Sequence, residues 1–145
     1  MEYFNIAIDG PAGAGKSTIA KLAAEKLGFV YVDTGAMYRS MALYFIRQGI
    51  SPEDEEAIAR ACSQVEVAIR YADGAQQVIL NGEDVSGLIR SEEVGRMASA
   101  TSVYGPVRQK LVQLQKQLAR EADVIMDGRD IGTLSLIHIS EPTRH

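Results

Sequence analysis

Hydrophobic and polar positions follow two repeating patterns along this chain, and the patterns predict alternating strands and helices. Short continuous apolar runs, typical of buried strands, occupy residues 3–8, 29–32 and 124–126. The segments after the first two runs place apolar residues at the three- and four-residue spacing of amphipathic helices. Strand, helix, strand and helix in this order, with a later buried strand, predict an α/β fold with a parallel sheet flanked by helices.

Capping residues mark the ends of the predicted helices. Gly28 is expected to end the first helix as its C-terminal cap. Thr34 can cap a second helix that stops at Gly49, and Ser51 is expected to cap a third with Pro52 in its first turn. The expected buried face of the first helix consists of Ile19, Leu22, Ala23 and Leu27.

The middle of the chain predicts a β-hairpin between helical segments. Apolar and polar residues alternate over residues 65–70, and residues 77–80 form the expected partner strand after an Asp73-Gly74 turn. A second turn signal, Asn81-Gly82, follows. Beyond it, Ser91 caps another helix, and Pro106 opens a last one whose apolar stripe is Val107, Leu111, Leu114 and Leu118.

Composition excludes several classes of protein. The chain has 145 residues, a hydrophobic fraction of 46% and a formal net charge of -4. A mildly acidic chain is a poor general nucleic-acid binder, because such binding depends on neutralising phosphates. The longest clear apolar run, residues 41–46, is far too short to span a membrane, and the lone Cys62 is most simply a small apolar helix residue. We expect a cytoplasmic monomer with no nucleic-acid or membrane partner.

A phosphate-binding pattern lies between the first strand and the first helix. Residues 10–17, GPAGAGKS, match G-x-x-x-x-G-K-[ST] at every fixed position. Backbone N–H groups of a glycine-rich turn and of a helix start can together surround an anion. Lys16 can reach the β and γ phosphates of a triphosphate, and the Ser17 hydroxyl can ligate Mg²⁺. The strand–loop–helix context disfavours a chance match.

Charged residues follow two of the predicted strands at the sheet edge where open α/β folds bind ligands. Asp127 ends the last strand, where its carboxylate can hold the Mg²⁺ shell from across the sheet. Arg39 lies on the second helix, and Arg129 follows Asp127 closely. A guanidinium can bind a phosphate through two hydrogen bonds. Taken alone, Arg39 is better explained as a solvated helix residue. For Arg129, an ion pair with Asp127 is the less favoured alternative.

In combination these motifs resemble the bacterial cytidylate kinases. The resemblance is carried by residues 8–18 (IDGPAGAGKST), 33–39 (DTGAMYR), 82–86 (GEDVS) and 127–133 (DGRDIGT). It implies the P-loop NTPase fold of the nucleoside monophosphate kinases, with residues of about 63–100 as an inserted monophosphate-binding region that contains the hairpin. It also implies an enzyme, a kinase that transfers the γ-phosphoryl group of ATP to CMP or dCMP with Mg²⁺.

The resemblance assigns roles residue by residue. Lys16, Arg39 and Arg129 are the implied catalytic residues, and the two arginines hold the acceptor phosphate with Thr34 nearby. Ser99, Arg108 and Asp130 are implied to contact cytosine. This is chemically consistent, because cytosine offers one amine donor to a carboxylate and two acceptors to serine and arginine. The implied ATP-binding residues are Gly10, Pro11, Ala12, Gly13, Ala14, Gly15, Lys16, Ser17 and Thr18.

Two other functions remain open from the sequence. One is a different small-molecule P-loop kinase, of an adenylate or shikimate type, and the other is a noncatalytic nucleotide-binding module. The family's closing lid, which carries further arginines, does not follow Thr133, so we expect the 145-residue polypeptide to be a weak or inactive catalyst. Residues 1–133 form the predicted partial kinase domain, and residues 134–145, which hold both histidines, are expected to be a non-native or disordered tail.

Overall fold

A parallel sheet forms around the last strand of the chain. In the computed structural model, which describes residues 5–8, 16–72 and 75–127, the sheet has the order β1 (Asn5–Ile8), β6 (Val124–Asp127), β2 (Val30–Asp33). Both pairings are parallel, and Asp127 lies opposite Ile8 on one side and Asp33 on the other. The carboxyl ends of the three strands therefore lie at one edge, which confirms the predicted α/β class.

Helix α1 (Lys16–Leu27) packs against β6 and β2 through small side chains. Ala24 is buried in a cluster with Tyr31 of β2 and Ile125 of β6, and Ala23 packs against this cluster. The aromatic and branched side chains of the sheet supply most of the volume there. Alanines on the helix therefore allow its backbone to approach the sheet closely.

The predicted buried face of α1 is wrong at two positions. Leu22 and Leu27 are 53% and 55% exposed, because the helix contacts the sheet through its alanines instead. The side chain of Ile19 lies outside the described residues. Gly28 does end α1 as predicted: it has a φ of 73°, and the next N–H, that of Phe29, donates to the Ala24 carbonyl at 2.9 Å.

The chain divides into two compact units. The first unit holds residues 1–34 and 115–145, and the second holds residues 35–114. The predicted insert of about 63–100 lies within the second unit. The proposed domain bounds themselves stay predictions.

The second unit is built from helices and a small antiparallel sheet. The sheet has the order β3 (Val67–Ala72), β4 (Ala75–Leu80), β5 (Glu83–Asp84), which confirms the predicted hairpin. The turn residues 73 and 74 lie outside the described residues. The remaining elements are α2 (Thr34–Arg47), which starts at the end of the first unit, α3 (Glu55–Cys62), a 3-10 turn (Leu88–Arg90), α4 (Glu92–Thr101) and α5 (Gly105–Glu121), which continues into the first unit.

Helices α2 and α5 bury apolar stripes at helical spacing. Met37, Met41 and Phe45, four residues apart on α2, are fully buried. The predicted stripe of α5 is confirmed, because Val107, Leu111, Leu114 and Leu118 are all buried. These stripes anchor the two helices, so their polar positions are held at fixed places on the surface.

The caps of two helices test the predicted boundaries. Ser91 caps α4 as expected, since its hydroxyl accepts the Val94 N–H at 3.2 Å. The prediction that Ser51 caps α3 is wrong. Asp54 is the cap, and its carboxylate accepts the Ala57 N–H at 3.1 Å. The Ser51 hydroxyl instead accepts the N–H of Glu53 inside a preceding turn, and Asp54 lies directly before the helical residues.

The GEDVS segment joins the small sheet to helix α2. Arg47, in the last turn of α2, donates two parallel hydrogen bonds to the Glu83 carboxylate at 2.7 and 3.2 Å. This bonding holds the pKa of Glu83 below its usual value, because the charged carboxylate is the form that accepts both bonds. The sequence motif that carried part of the resemblance therefore has a structural role here.

In the same segment, the Ser86 side chain forms hydrogen bonds to the backbone of β4 and to the Asp84 carboxylate. The Ser86 hydroxyl accepts the Val78 N–H at 2.9 Å and donates to Asp84 Oδ1 at 2.6 Å. The Ser86 N–H also donates to Asp84 Oδ1, at 3.0 Å. Side-chain and then backbone hydrogen bonding by Ser86 lower the pKa of Asp84. One serine thus satisfies a strand amide and stabilises a charged carboxylate.

Ser86→Ala is expected to lower the free energy of unfolding by about 1 kcal/mol at neutral pH, because the Val78 N–H loses its acceptor. A further part of the effect depends on pH. The lowered pKa of Asp84 stabilises the fold above the unfolded pKa, about 3.9, and this contribution is lost as pH falls through the folded pKa. Urea unfolding between pH 7 and pH 3 should therefore show a difference from wild type that shrinks at low pH.

The matched control for this serine is Ser63→Ala. Ser63 is exposed and its hydroxyl donates to the Arg60 carbonyl at 3.0 Å, so we expect a change within about 0.5 kcal/mol and no pH dependence. Equal effects of the two substitutions at every pH would contradict the role given to Ser86.

Candidate functional site

The carboxyl edge of the parallel sheet gathers the ends of three chemically informative segments. Asp127 ends β6 between Ile8, which precedes the glycine-rich sequence, and Asp33, which precedes α2. Ligands of open α/β sheets bind outside the carboxyl ends of the strands, which makes this edge the candidate binding site.

Helix α1 begins where the phosphate-binding pattern requires. Lys16, Ser17 and Thr18 form its first turn, which confirms the predicted helix start. The first N–H groups of a helix have no partner within the helix, and together with the helix dipole they favour an anion such as phosphate. The residues of the loop itself, Gly10, Pro11, Ala12, Gly13, Ala14 and Gly15, lie outside the described residues.

Two of the predicted acceptor residues come together in the second unit. Arg39, exposed on α2, places its Nε 4.0 Å from the position that a Cβ on Gly95 would occupy on α4. Gly95 and Ser99 are four residues apart on α4 and so share one face of that helix. The structure therefore brings Arg39 to the face of α4 that carries Ser99. Both side chains are exposed and accessible to a ligand.

Arg108 lies on α5, one short connection after α4. Its side chain is exposed, and its backbone N–H donates to the Tyr104 carbonyl at 3.1 Å. The Tyr104 hydroxyl in turn donates to the Pro52 carbonyl at 2.8 Å, which fixes the connection that precedes Arg108. Arg108 thus belongs to the same unit as Arg39 and Ser99 and starts from a defined backbone position.

For the remaining predicted site residues, the structure gives the backbone position of some and does not describe the others. Thr34 is the first residue of α2 and is half-buried. The backbone of Asp127 is placed at the end of β6, as predicted. Arg129 and Asp130 lie outside the described residues, so their roles stay predictions.

Sequence analysis did not single out Gly95, although the chain carries a signal for it. A glycine inside a helix costs about 1 kcal/mol relative to alanine, so it calls for a reason in packing or function. Gly95 lies in the interior of α4 and its φ is not positive, so its backbone conformation does not require glycine. The contact with Arg39 was not visible from the sequence.

Membrane-spanning helices and clusters of metal-binding side chains are absent from the part of the chain that the structure describes. None of its helices has the length and apolar character needed to cross a bilayer. Within residues 5–8, 16–72 and 75–127, no three His, Cys, Asp or Glu side chains form a metal-binding group. Cys62 is buried in α3, and burial raises its thiol pKa although Lys110 partly opposes the shift. It therefore acts as a small apolar residue.

Known proteins resemble this chain over most of its length. The family model for cytidylate kinase matches residues 6–139. A cytidylate kinase from Caldicellulosiruptor bescii is 51% identical over 133 residues, which cover 92% of this chain and 59% of the relative. A cytidylate kinase from Symbiobacterium thermophilum is 48% identical over 134 residues, with coverage of 92% and 59%. A third, from Desulfitobacterium hafniense, is 53% identical over 131 residues, with coverage of 90% and 56%. The chain therefore spans less than two thirds of the length of these curated relatives.

Proposed function

Since the chain belongs to the cytidylate kinase family, we propose that it carries the nucleotide-binding core of an enzyme that phosphorylates CMP or dCMP with ATP. The observation that carries the proposal is the sheet edge at which Asp127 lies between the strand before the glycine-rich sequence and the strand before α2. In this proposal the first turn of α1 supplies N–H groups for the triphosphate, and the Asp127 carboxylate holds its counter-ion.

The proposed reaction is a direct phosphoryl transfer. A phosphate oxygen of CMP or dCMP attacks the γ-phosphorus of ATP, the bond from that phosphorus to the β–γ bridging oxygen breaks, and ADP leaves with CDP or dCDP. Such a transfer depends on positioning and on charge neutralisation rather than on a strong general base. In this proposal Lys16 binds the β and γ phosphates, while Arg39 and Arg129 bind the acceptor phosphate.

The residue types present fit Mg²⁺ as the cofactor of this reaction. Asp127 and Ser17 offer oxygen ligands, and a hard cation that keeps several waters needs few protein ligands beside the phosphates. The backbone positions support the assignment, because Asp127 ends β6 at the carboxyl edge and Ser17 lies in the first turn of α1. When bound, the ion neutralises charge that develops on the phosphate oxygens.

Recognition of cytosine is proposed for Ser99, Arg108 and Asp130. Two observations support this assignment. The Ser99 and Arg108 side chains are exposed in the second unit, and the Arg39 side chain approaches the face of α4 that carries Ser99. A binding site whose polar groups hydrogen-bond to cytosine binds a base without matching donors and acceptors more weakly. Adenine lacks the carbonyl oxygen of cytosine, so it would leave one of these groups without a partner.

Arg108→Ala is therefore expected to erode the preference for CMP over AMP. Loss of one charge-assisted hydrogen bond should weaken CMP binding by about 10- to 150-fold, whereas AMP binding should change by less than about threefold. Calorimetric titration of both nucleotides measures the ratio. Arg120→Ala, an exposed arginine on the same helix, is the matched control and should leave the ratio unchanged. An unaltered ratio in Arg108→Ala would refute the assignment.

Titration of the 145-residue chain with ATP, CMP, dCMP, AMP and shikimate tests the proposed function as a whole. Binding of ATP together with CMP or dCMP supports it. Stronger binding of AMP or shikimate would identify another small-molecule kinase, and ATP binding without any acceptor would identify a noncatalytic module. A coupled kinase assay beside an intact relative tests the expected weak turnover. The monomeric state and the cytoplasmic location also stay predictions.

A further inference from the structure

We propose that Gly95 is a positioning residue for Arg39. In this proposal the small size of residue 95 of α4 leaves the space in which the Arg39 side chain lies when it binds the acceptor phosphate. The inference rests on the proposed function, and it names a determinant of acceptor binding that lies outside the motifs described above.

Among the described residues, only Arg39 lies close enough to contact a side chain at position 95. A Cβ built on Gly95 meets one heavy atom within 4 Å, the Nε of Arg39 at 4.0 Å. That distance is an ordinary van der Waals contact, so a methyl group fits there without displacement. The φ of Gly95 is not positive, and no backbone atom of another element crowds it. Helix α4 therefore does not need glycine for its own packing.

A side chain larger than alanine would compete with Arg39 for space. The next carbon lies about 1.5 Å beyond Cβ, the length of a carbon–carbon single bond, which is enough to turn a contact of this kind into an overlap. Valine carries two such carbons, and in a helix they occupy both of the directions that its backbone leaves open to side chains. Arg39 would then have to leave the face of α4 that it shares with Ser99.

A larger side chain at position 95 should therefore weaken acceptor binding by displacing Arg39. Arg39 starts from an α2 backbone anchored by the buried Met37 and Met41, so displacement by a larger residue falls on the arginine side chain rather than on the helix. The effect should be specific to the acceptor, because Arg39 is proposed to bind the acceptor phosphate and not ATP.

The experiment compares Gly95→Ala and Gly95→Val with wild type by calorimetric titration of CMP and ATP. Gly95→Ala should raise Tm, because alanine favours a helix interior, and should change CMP affinity by less than about twofold. Gly95→Val should weaken CMP binding by roughly tenfold, the scale of one lost charge-assisted hydrogen bond, with ATP binding unchanged. Valine is no worse a helix former than glycine, so Tm should not fall. Ala100→Val, at an exposed position on the same helix, is the control.

A double-mutant cycle separates positioning from a general structural effect. In an Arg39→Ala background, Gly95→Val should cause no further loss of CMP affinity, because the group that it displaces is absent. Additive losses would overturn the proposal, and so would unchanged CMP affinity in Gly95→Val alone.

A second readout keeps the inference testable if CMP does not bind. The ¹⁵N resonance of the Arg39 Nε–H group, assigned by its disappearance in Arg39→Ala, should shift in Gly95→Val and stay near its wild-type position in Ala100→Val. An unmoved resonance overturns the positioning role even if CMP binds. A shifted resonance in a protein that does not bind CMP supports the contact and rejects the proposed function instead.

Discussion

Arg39→Ala is expected to weaken CMP binding by at least about 100-fold and to change ATP binding by less than about twofold. Arg39 is an exposed cation on α2, beside the face of α4 that carries Ser99. A guanidinium gives a phosphate two charge-assisted hydrogen bonds in a fixed geometry, and alanine removes both. Alanine is also the best helix former, so the loss should not come from unfolding of α2. Calorimetric titration of both nucleotides measures the two affinities.

Two further variants sharpen this result. Arg39→Lys keeps the charge but loses the planar pair of donors, so its CMP affinity should fall between those of wild type and Arg39→Ala. Arg96→Ala removes an exposed arginine of α4 that lies 3.8 Å from Glu92, and it should leave both affinities unchanged. Equal losses of CMP affinity in Arg96→Ala and Arg39→Ala would assign the effect to net charge and not to Arg39.

The sequence allowed the secondary structure of the chain to be predicted well wherever one local rule dominated. The strand that ends at Asp127 and the stripe of α5 follow directly from hydrophobic periodicity, and the structure confirms both. Gly28 and Gly49 were predicted as helix stops, and both adopt a positive φ, of 73° and 71°. Such positions are predictable because the chain itself contains the reason for them.

The wrong predictions share a different cause. Leu22 and Leu27 were assigned to the core from spacing alone, but the sheet residues opposite α1 decide which side of the helix packs, and alanines fit best against them. Ser51 was preferred as a cap because it precedes a proline, yet Asp54 lies closer to the helix start and offers the cap instead. Where the sequence offers two plausible packing faces or two plausible caps, contacts in the folded structure decide which one is used.

The candidate site was predictable as chemistry but not as geometry. The glycine-rich pattern with Lys16 and Ser17 names a phosphate-binding segment without any structure, because its backbone requirements are local. The approach of Arg39 to Gly95 joins two residues that are more than 50 positions apart in the chain. No periodicity or motif contains that contact, so the sequence alone does not connect Gly95 with Arg39.

Lys16→Ala is expected to weaken ATP binding by about two orders of magnitude, because one ammonium group is proposed to bind both the β and the γ phosphates. Lys16 is the first residue of α1, and in the proposed function its ammonium group acts together with the positive end of the helix dipole. The loss should depend on the number of phosphates. AMP, which lacks the β and γ phosphates, should lose less than about threefold at the same site, and ADP should be intermediate. Calorimetric titration with the three adenine nucleotides, each with Mg²⁺, measures this order.

Lys26→Ala is the matched control for this prediction. Lys26 is an exposed lysine in the last turn of the same helix, so its removal changes the net charge equally but far from the proposed phosphates. It should leave ATP affinity within about twofold of wild type, because exposed charges beyond a Debye length are largely screened. CMP affinity should be unchanged in both variants, because neither lysine is proposed to contact the acceptor. If Lys16→Ala and Lys26→Ala have the same ATP affinity, the role proposed for the glycine-rich segment is wrong. The lysine of a phosphate-binding loop has to contribute to phosphate binding in the proposed mechanism.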